Sequence, residues 1–366
     1  MHVVILAAST YAVAEPFAGG LESLTWHLAR GLADRGIEVS LFAAPGSDPA
    51  LGAVPLDVAP LQLTDAARQD VSMVPERWLR EHHAYLQVLV ALQGRRDVDV
   101  VHNNSLHHLP VAMASSLPAP VLTTLHTPPT PWLEPAIAID SGATAGGPGR
   151  PHRRNSHYVA VSEHTARAWS HVVQPGVVHN GVDTGRWLPG AGGPDLAWAG
   201  RLVPEKAPHR AIAVARAAGR RLRLAGPVGD PAYFVEVVAP LLGDGIEHVG
   251  HLDSRGLADL FGSSAVTLVT PEWDEPYGLV AAESLACGTP VVALDRGGLR
   301  EFVSPSVGVL LPPASTAAEG AVAVEAAAAL DRRDCRDHAI AHCSVTRMVD
   351  DYVALYHALS SVQGAA

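Results

Sequence analysis

"DEPYGLVAAESLACGTPVVA", residues 274–293, sets Glu275 just before, and Glu283 inside, a glycine-started apolar segment that stops at Gly288. Leu279 to Ala286 reads as a helix: its residues are good helix formers, Gly288 suits a left-handed stop, and Pro290 follows shortly after. Gly278 at its start leaves the first N–H groups open to an anion. Glu283 comes four residues after Leu279, ~6 Å further along the axis. It therefore sits within reach of hydroxyls beside such an anion, and Glu275 faces the other end of the same ligand. A solvated helix face is the plain alternative, so the rest of the chain must decide.

On both sides of this segment, short apolar runs alternate with helical patterns. The first half offers "HVVILAA", a helix near 20–35, "EVSLFAA", a helix near 75–93, then "DVDVVHN", "PVLTTLH", "YVAVSEH" and "GVVHNGVD". Runs without in/out alternation are what strands buried on both faces of a parallel sheet look like. Residues 186–195, "RWLPGAGGPD", read as a linker. The alternation then restarts with "LAWAGR", "RLRLAGP", "IEHVGH", "AVTLVTP" and "PVVAL", separated by helices near 207–218, 231–242 and 254–262. The expected fold class is α/β, with two doubly wound Rossmann-like domains facing across a cleft. The expected boundaries are 1–188 and 195–345, with 346–366 a C-terminal helix returning to the first domain. Residues 128–156, rich in Pro and Gly, read as a loop able to act as a lid.

Composition narrows the partners. The 366 residues are 48% hydrophobic and 17% charged, enough for two real cores, and the formal net charge is −11. That balance argues against a nucleic-acid partner and gives no support to peripheral membrane contact, so any phosphate binding must be local. Cys287, Cys335 and Cys343 lack metal spacing and suit a reducing compartment; a cytoplasmic location is expected. The start could pass for a secretory leader, but no Lys or Arg precedes Arg30, and Val3–Ala7 reads better as a buried strand. Among the 26 Lys and Arg residues, Lys206 is the single lysine. A bias toward arginine codons accounts for the arginines but not for the surviving lysine, and an ammonium is not interchangeable with a guanidinium fork.

In open parallel sheets, ligands sit at the carboxyl ends of the strands. Three loops qualify. After the first strand, Gly19 and Gly20 would let backbone amides approach an anion, although the pair reads equally well as an ordinary flexible turn. In "AGRLVPEKAP", Arg201 and Lys206 would suit a diphosphate, the alternative being a pair of solvated cations salt-bridged to Glu205. The third loop is the opening segment, where Glu283 would serve a ribose. A sugar, a diphosphate and a ribose in a row fit this order.

These motifs resemble a known family. "PFAGGLESLTWHLARGLADRGIEVSLFAAPGS", "LTTLHTP", "VAVSEHTA", "VHNGVD", "AGRLVPEKAPHRAI", "LAGP" and "PEWDEPYGLVAAESLACGTPVVALDRGGLREFV" follow one another as in retaining glycosyltransferases of the two-Rossmann-domain GT-B type, family four, group 1. The resemblance implies that Arg201 and Lys206 neutralise the diphosphate of a UDP- or GDP-linked sugar. It implies that Glu275 contacts the sugar, Glu283 the ribose, and the amides of Gly278, Leu279 and Val280 phosphate or sugar, with Tyr277 among the donor-binding residues. Gly19 and Gly20 approach from the opposite domain, and His126 points toward the transferred sugar. His126, Arg201, Lys206 and Glu275 form the implied catalytic set, acting without metal or cofactor; the arginine- and alanine-heavy composition, of the kind a high-GC bacterial genome gives, points to a small metabolite or natural-product intermediate as acceptor. A nucleotide-sugar epimerase or a non-catalytic nucleotide-sugar-binding protein of the same fold is the alternative. The sequence carries no signal for oligomeric state.

Other patterns carry less. Asp97 and Asp99 imitate a metal-binding Asp-x-Asp but open an apolar strand. His102, His107 and His108 lack Cys or Asp partners at ligand spacing and read as structural or loop residues. Cys287 reads as a small buried hydrophobe. No G-x-G-x-x-G follows the first strand, which disfavours a dinucleotide oxidoreductase.

Overall fold

The computed structural model describes residues 1–142 and 155–363. Seven parallel strands, β1 (His2–Leu6), β2 (Glu38–Ala43), β3 (Val54–Pro55), β4 (Val100–Asn103), β5 (Val121–Leu125), β6 (Ser156–Ala160) and β7 (Gly176–Val177), form the first sheet, in the order β3-β2-β1-β4-β5-β6-β7. Six more, β8 (Leu196–Ala199), β9 (Leu222–Ala225), β10 (Ile246–His248), β11 (Val266–Val269), β12 (Val291–Leu294) and β13 (Gly308–Leu311), form a second parallel sheet, in the order β10-β9-β8-β11-β12-β13. Every residue of β1, β4, β5, β11 and β12 is buried, because helices cover both faces; this is why these strands show no alternation. Each fully buried Val, Leu or Ile there contributes about 1.5–3 kcal/mol.

In each sheet the winding reverses beside the first strand, between β1 and β4 and between β8 and β11. The crevice outside the carboxyl ends of those strands is where such sheets hold ligands.

Helix Gly20–Ala33 lays Leu24, Leu28 and Leu32 on the first core at a four-residue interval, one face of a helix. The last helix, Val345–Gln363, packs into the same core through Met348, Val349, Tyr352 and Tyr356. The two helices touch closely, since a Cβ at Gly31 would stand 2.8 Å from Val349 Cγ2. His102 is buried beneath them. Its Nδ1 meets the Tyr356 hydroxyl at 2.5 Å and its Nε2 meets Thr124 Oγ1 at 2.7 Å, and burial lowers its pKa to about 3. It is a structural histidine. Asp99 accepts from the His2 amide at 2.7 Å at the strand edge, and Asp97 pairs with Arg95.

Several expectations change. The segment 128–156 is not one long loop: Leu133–Ser141 is helical and β6 begins at Ser156, while the proposed lid's residues 143–154 lie outside the described ones. The helix expected near 231–242 is broken into Pro231–Tyr233, a π-turn at Phe234–Val238 and a 3₁₀ turn at Ala239–Leu241, as Pro240 has no N–H for a continuous ladder. The stretch 186–195 is pinned rather than free: a Cβ at Gly190 would overlap Gly262 and one at Gly193 would overlap Ser263. Strand β13 and helices Ala317–Ala328 and Arg332–His342 escaped the reading, though a capping box of Thr316 and Glu319 marks the first of these helices in sequence. Among the described residues, no helix is long and apolar enough to cross a membrane.

Candidate functional site

The two switch points face each other across a cavity of ≈ 410 Å³, and all eleven expected site residues border it: Gly19, Gly20, His126, Arg201, Lys206, Glu275, Tyr277, Gly278, Leu279, Val280 and Glu283. A larger groove of ≈ 950 Å³ runs along the 188–192 stretch and holds none of them. The walls of the smaller cleft come close together, since a Cβ at Gly20 would stand 2.8 Å from Leu279 Cδ1 of the other half. At that position only glycine leaves room.

The loop after β8 supplies both cations. Lys206 ends the short turn Pro204–Lys206, and its Nζ donates to Glu275 Oε2 at 2.5 Å, not to Glu205. Trp273 Nε1 donates to the same carboxylate oxygen at 3.1 Å, and its ring lies 5.1 Å from the ammonium. Arg201, partly exposed in the cleft, makes no hydrogen bond or ion pair among the described residues. It is the unsatisfied guanidinium of the site, with five donors free for an anion.

The loop after β11 is held by backbone contacts. Gly297 has φ +68°, and a Cβ there would stand 2.0 Å from the Glu275 carbonyl; the Gly298 amide donates to that carbonyl at 2.8 Å. This glycine pair fixes Glu275 beside Lys206. Gly278 begins helix Leu279–Ala286 at φ +103° with no side-chain cap, so the first amides of that helix stay open toward the cleft. Glu283 is half-buried within the cleft wall. Its carboxylate has no hydrogen-bond partner among the described residues, and burial pushes its pKa up to about 8. Tyr277 departs from its expected role. It is 2% exposed and its ring stacks on Phe302 at 5.0 Å, so the side chain belongs to the second core and only borders the cleft.

From the first sheet, His126 follows β5. Its Nε2 meets Asn104 Oδ1 at 2.8 Å, and burial lowers its pKa to about 3, so the ring is neutral. With an oxygen as partner, Nε2 carries the hydrogen and Nδ1 is left as an acceptor. Asn104 itself is fully buried and its Nδ2 has no partner.

Three residues of the site went unread. Glu22, in the first turn of helix Gly20–Ala33, is buried in the cleft; burial raises its pKa, its own backbone amide and Arg201 across the gap lowering it less. Glu301 of the second half accepts the Glu163 and His164 amides at 2.9 and 2.8 Å, and His179 Nε2 at 2.9 Å. Burial works to raise its pKa, but the bonds from His179, Glu163 and His164 together hold it below the usual value. It caps a first-half helix from the second half and so ties the two together. Gly297 is the third, and its doublet in "DRGGLREF" was the available signal.

Cys287 is buried, with a thiol pushed up to about 12 by burial, and is no nucleophile at neutral pH. The described residues hold no cluster of three or more His, Cys, Asp or Glu able to ligate a metal.

Two doubly wound parallel sheets meeting over such a crevice define the GT-B class. The model described as Glycosyltransferase Family 4 matches residues 18–186, and the one described as Glycosyl transferases group 1 matches residues 188–338. The chain belongs to this glycosyltransferase family, whose members transfer a sugar from a nucleotide sugar. A glycogen synthase of Mycobacterium tuberculosis is 27% identical over 325 residues, 78% of this chain and 76% of that one. A D-inositol 3-phosphate glycosyltransferase of Frankia alni is 29% identical over 350 residues, 80% and 82% of the two chains. Among solved structures, the fold is similar to AviGT4, a glycosyltransferase involved in avilamycin A biosynthesis, with a TM-score of 0.69, 24% identity and 98% of each chain covered. It is also similar to Anabaena Alr3699/HepE in complex with UDP and glucose, with a TM-score of 0.73, 18% identity, and 98% and 100% of the two chains covered.

Proposed function

We propose that this enzyme moves a hexosyl group from a UDP- or GDP-linked donor to an acceptor hydroxyl with retention of configuration and without metal, on a small metabolite or natural-product intermediate. The observation that carries the reading is the convergence of unpaired Arg201, Lys206 and the open start of helix Leu279–Ala286 on one cavity roofed by Gly19 and Gly20. A diphosphate lying there meets a guanidinium fork, an ammonium and free amides. Lys206 can keep one bond to Glu275 and turn its other donors to phosphate. Glu283 then receives ribose hydroxyls, while Glu275 and neutral His126 receive hydroxyls of the sugar.

As the bond from the anomeric carbon to the leaving phosphate oxygen breaks, negative charge grows on the diphosphate, and the two cations stabilise it in place of a metal. Preorganised donors of this kind are each worth ~10²–10³ in rate. The acceptor hydroxyl forms the new C–O bond on the face the phosphate leaves, and its proton passes to a phosphate oxygen. Positioning does the rest.

Calorimetry against UDP, GDP and ADP, followed by donor screening with mass spectrometry, tests this. A released nucleoside diphosphate together with a glycosylated acceptor, its anomeric linkage unchanged by NMR and its yield unchanged by EDTA, is expected. An epimerised donor would make the enzyme an epimerase, and binding without any transfer would make it a sensor; either overturns the proposal.

A further inference from the structure

Beside the cleft, on the first sheet's side, runs a ladder of rings. Tyr85 stacks on His107 at 4.6 Å, His107 on His108 at 4.5 Å, and His108 on Trp132 at 5.4 Å; Trp78 meets Trp132 edge-on at 4.5 Å. The ladder starts inside the first half, where the buried Tyr85 hydroxyl donates to the Ala7 carbonyl at 2.8 Å, just past β1. Leu106, next to His107, borders the cavity itself and is exposed. The ladder ends at the surface, where Trp78 is 45% and Trp132 47% exposed. Two large aromatic side chains left half in water belong to neither of the neighbouring buried clusters, around Leu133 and Ala84.

The chemistry along the ladder alternates. The tryptophans offer apolar ring surface. His107, His108 and the neighbouring His82 offer imidazole edges; burial lowers the pKa of all three, His107 to about 3, with His108 and His82 adding to the shift of His107, His82 to that of His108, and His83 to that of His82. A neutral imidazole presents one N–H donor and one bare nitrogen; in His107 the bare Nδ1 already accepts the Leu109 amide at 3.2 Å, so that ring has only its N–H to offer. The rings stack face to face and do not converge their nitrogens, in line with the absence of a metal cluster among the described residues.

We propose that this ladder is the acceptor subsite and that it takes an uncharged saccharide. A sugar ring has C–H faces that lie on indole and hydroxyls that bond to imidazole edges. A flat polyphenol would leave imidazole N–H groups unpaired, and none of the five stacked rings carries a fixed positive charge to hold a sugar phosphate. A saccharide bound there extends from the exposed tryptophans toward Leu106 and brings one hydroxyl to the donor cleft. The inference rests on the reading of the cleft as a nucleotide-sugar site, and the experiment separates the two.

The enzyme saturated with UDP, or with GDP if that is the diphosphate it binds, is titrated with a neutral glucan trisaccharide, an inositol phosphate and a planar polyphenol, observed by saturation-transfer NMR and calorimetry. The trisaccharide is expected to bind, to weaken about tenfold in Trp132→Ala and in Trp78→Ala, and to be largely retained in Trp132→Phe, while UDP affinity stays within about twofold in all three variants. Both tryptophans are exposed, so these variants keep the fold; a circular dichroism melt confirms it. Absent trisaccharide binding, preference for the phosphate or the polyphenol, or indifference to both alanine variants would each overturn the subsite. Failure of the wild type to bind either UDP or GDP would instead strike the donor reading on which it rests.

Discussion

Glu283→Gln isolates the carboxyl that is read as the ribose contact. In the free enzyme its pKa is about 8, so at pH 7 it is about nine-tenths protonated. Ribose hydroxyls that donate to it favour the ionised form. Two charge-assisted hydrogen bonds, at ~1.5–3 kcal/mol each before the cost of ordering, suffice to draw the pKa down by about two units, which is ~2.7 kcal/mol. A group with pKa near 6 is about one-tenth protonated at pH 7, so UDP binding releases about 0.8 proton from this residue. Calorimetry at pH 7 in buffers of different ionisation enthalpy measures that release, and the Gln variant should lose it along with part of the UDP affinity. Glu22 contributes with the opposite sign, since a diphosphate beside a carboxyl already raised by burial holds its proton more firmly. The difference between wild type and variant therefore carries the result, not the total. The same shift predicts that the free enzyme loses stability as pH rises from about 4.5 toward 8, because the unfolded carboxyl ionises first; the Gln variant should flatten that slope. Equal proton release by wild type and variant would refute the ribose role.

Lys206→Ala and Glu275→Ala should each fold and lose at least ~10²-fold in turnover, with the double variant falling short of the product because the two side chains form one pair; steady-state kinetics checks both. Gly297→Ala forces a side chain into a left-handed backbone and against the Glu275 carbonyl, so a loss on the order of 3 kcal/mol and a large drop in kcat are expected, read by a thermal melt and an activity assay. Tyr356→Phe leaves buried His102 without its Nδ1 partner and should cost about 1–3 kcal/mol by denaturant titration, while UDP affinity is unchanged.

Much of this protein was legible in its order of residues. Buried parallel strands announce themselves as unbroken apolar runs, and glycines at strand ends mark where loops turn into helices; hence two wound sheets could be read without coordinates. Motif residues lie at strand ends by rule, so Arg201, Lys206, Glu275 and Glu283 could be placed in one crevice before any distance was known. What linear order does not encode is which partner each group meets across the chain. That Lys206 sits on Glu275 and not on the adjacent Glu205, and that Tyr277 turns into a core while its neighbours line a cleft, follow from the packing of β8 against β11. Glu22 facing Arg201, Glu301 capping a helix of the opposite half, and a ladder of rings drawn from residues 78, 85, 107, 108 and 132 are long-range meetings. Local propensity and periodicity reach only a few residues along the backbone, whereas desolvation and pairing depend on everything that surrounds a side chain in space.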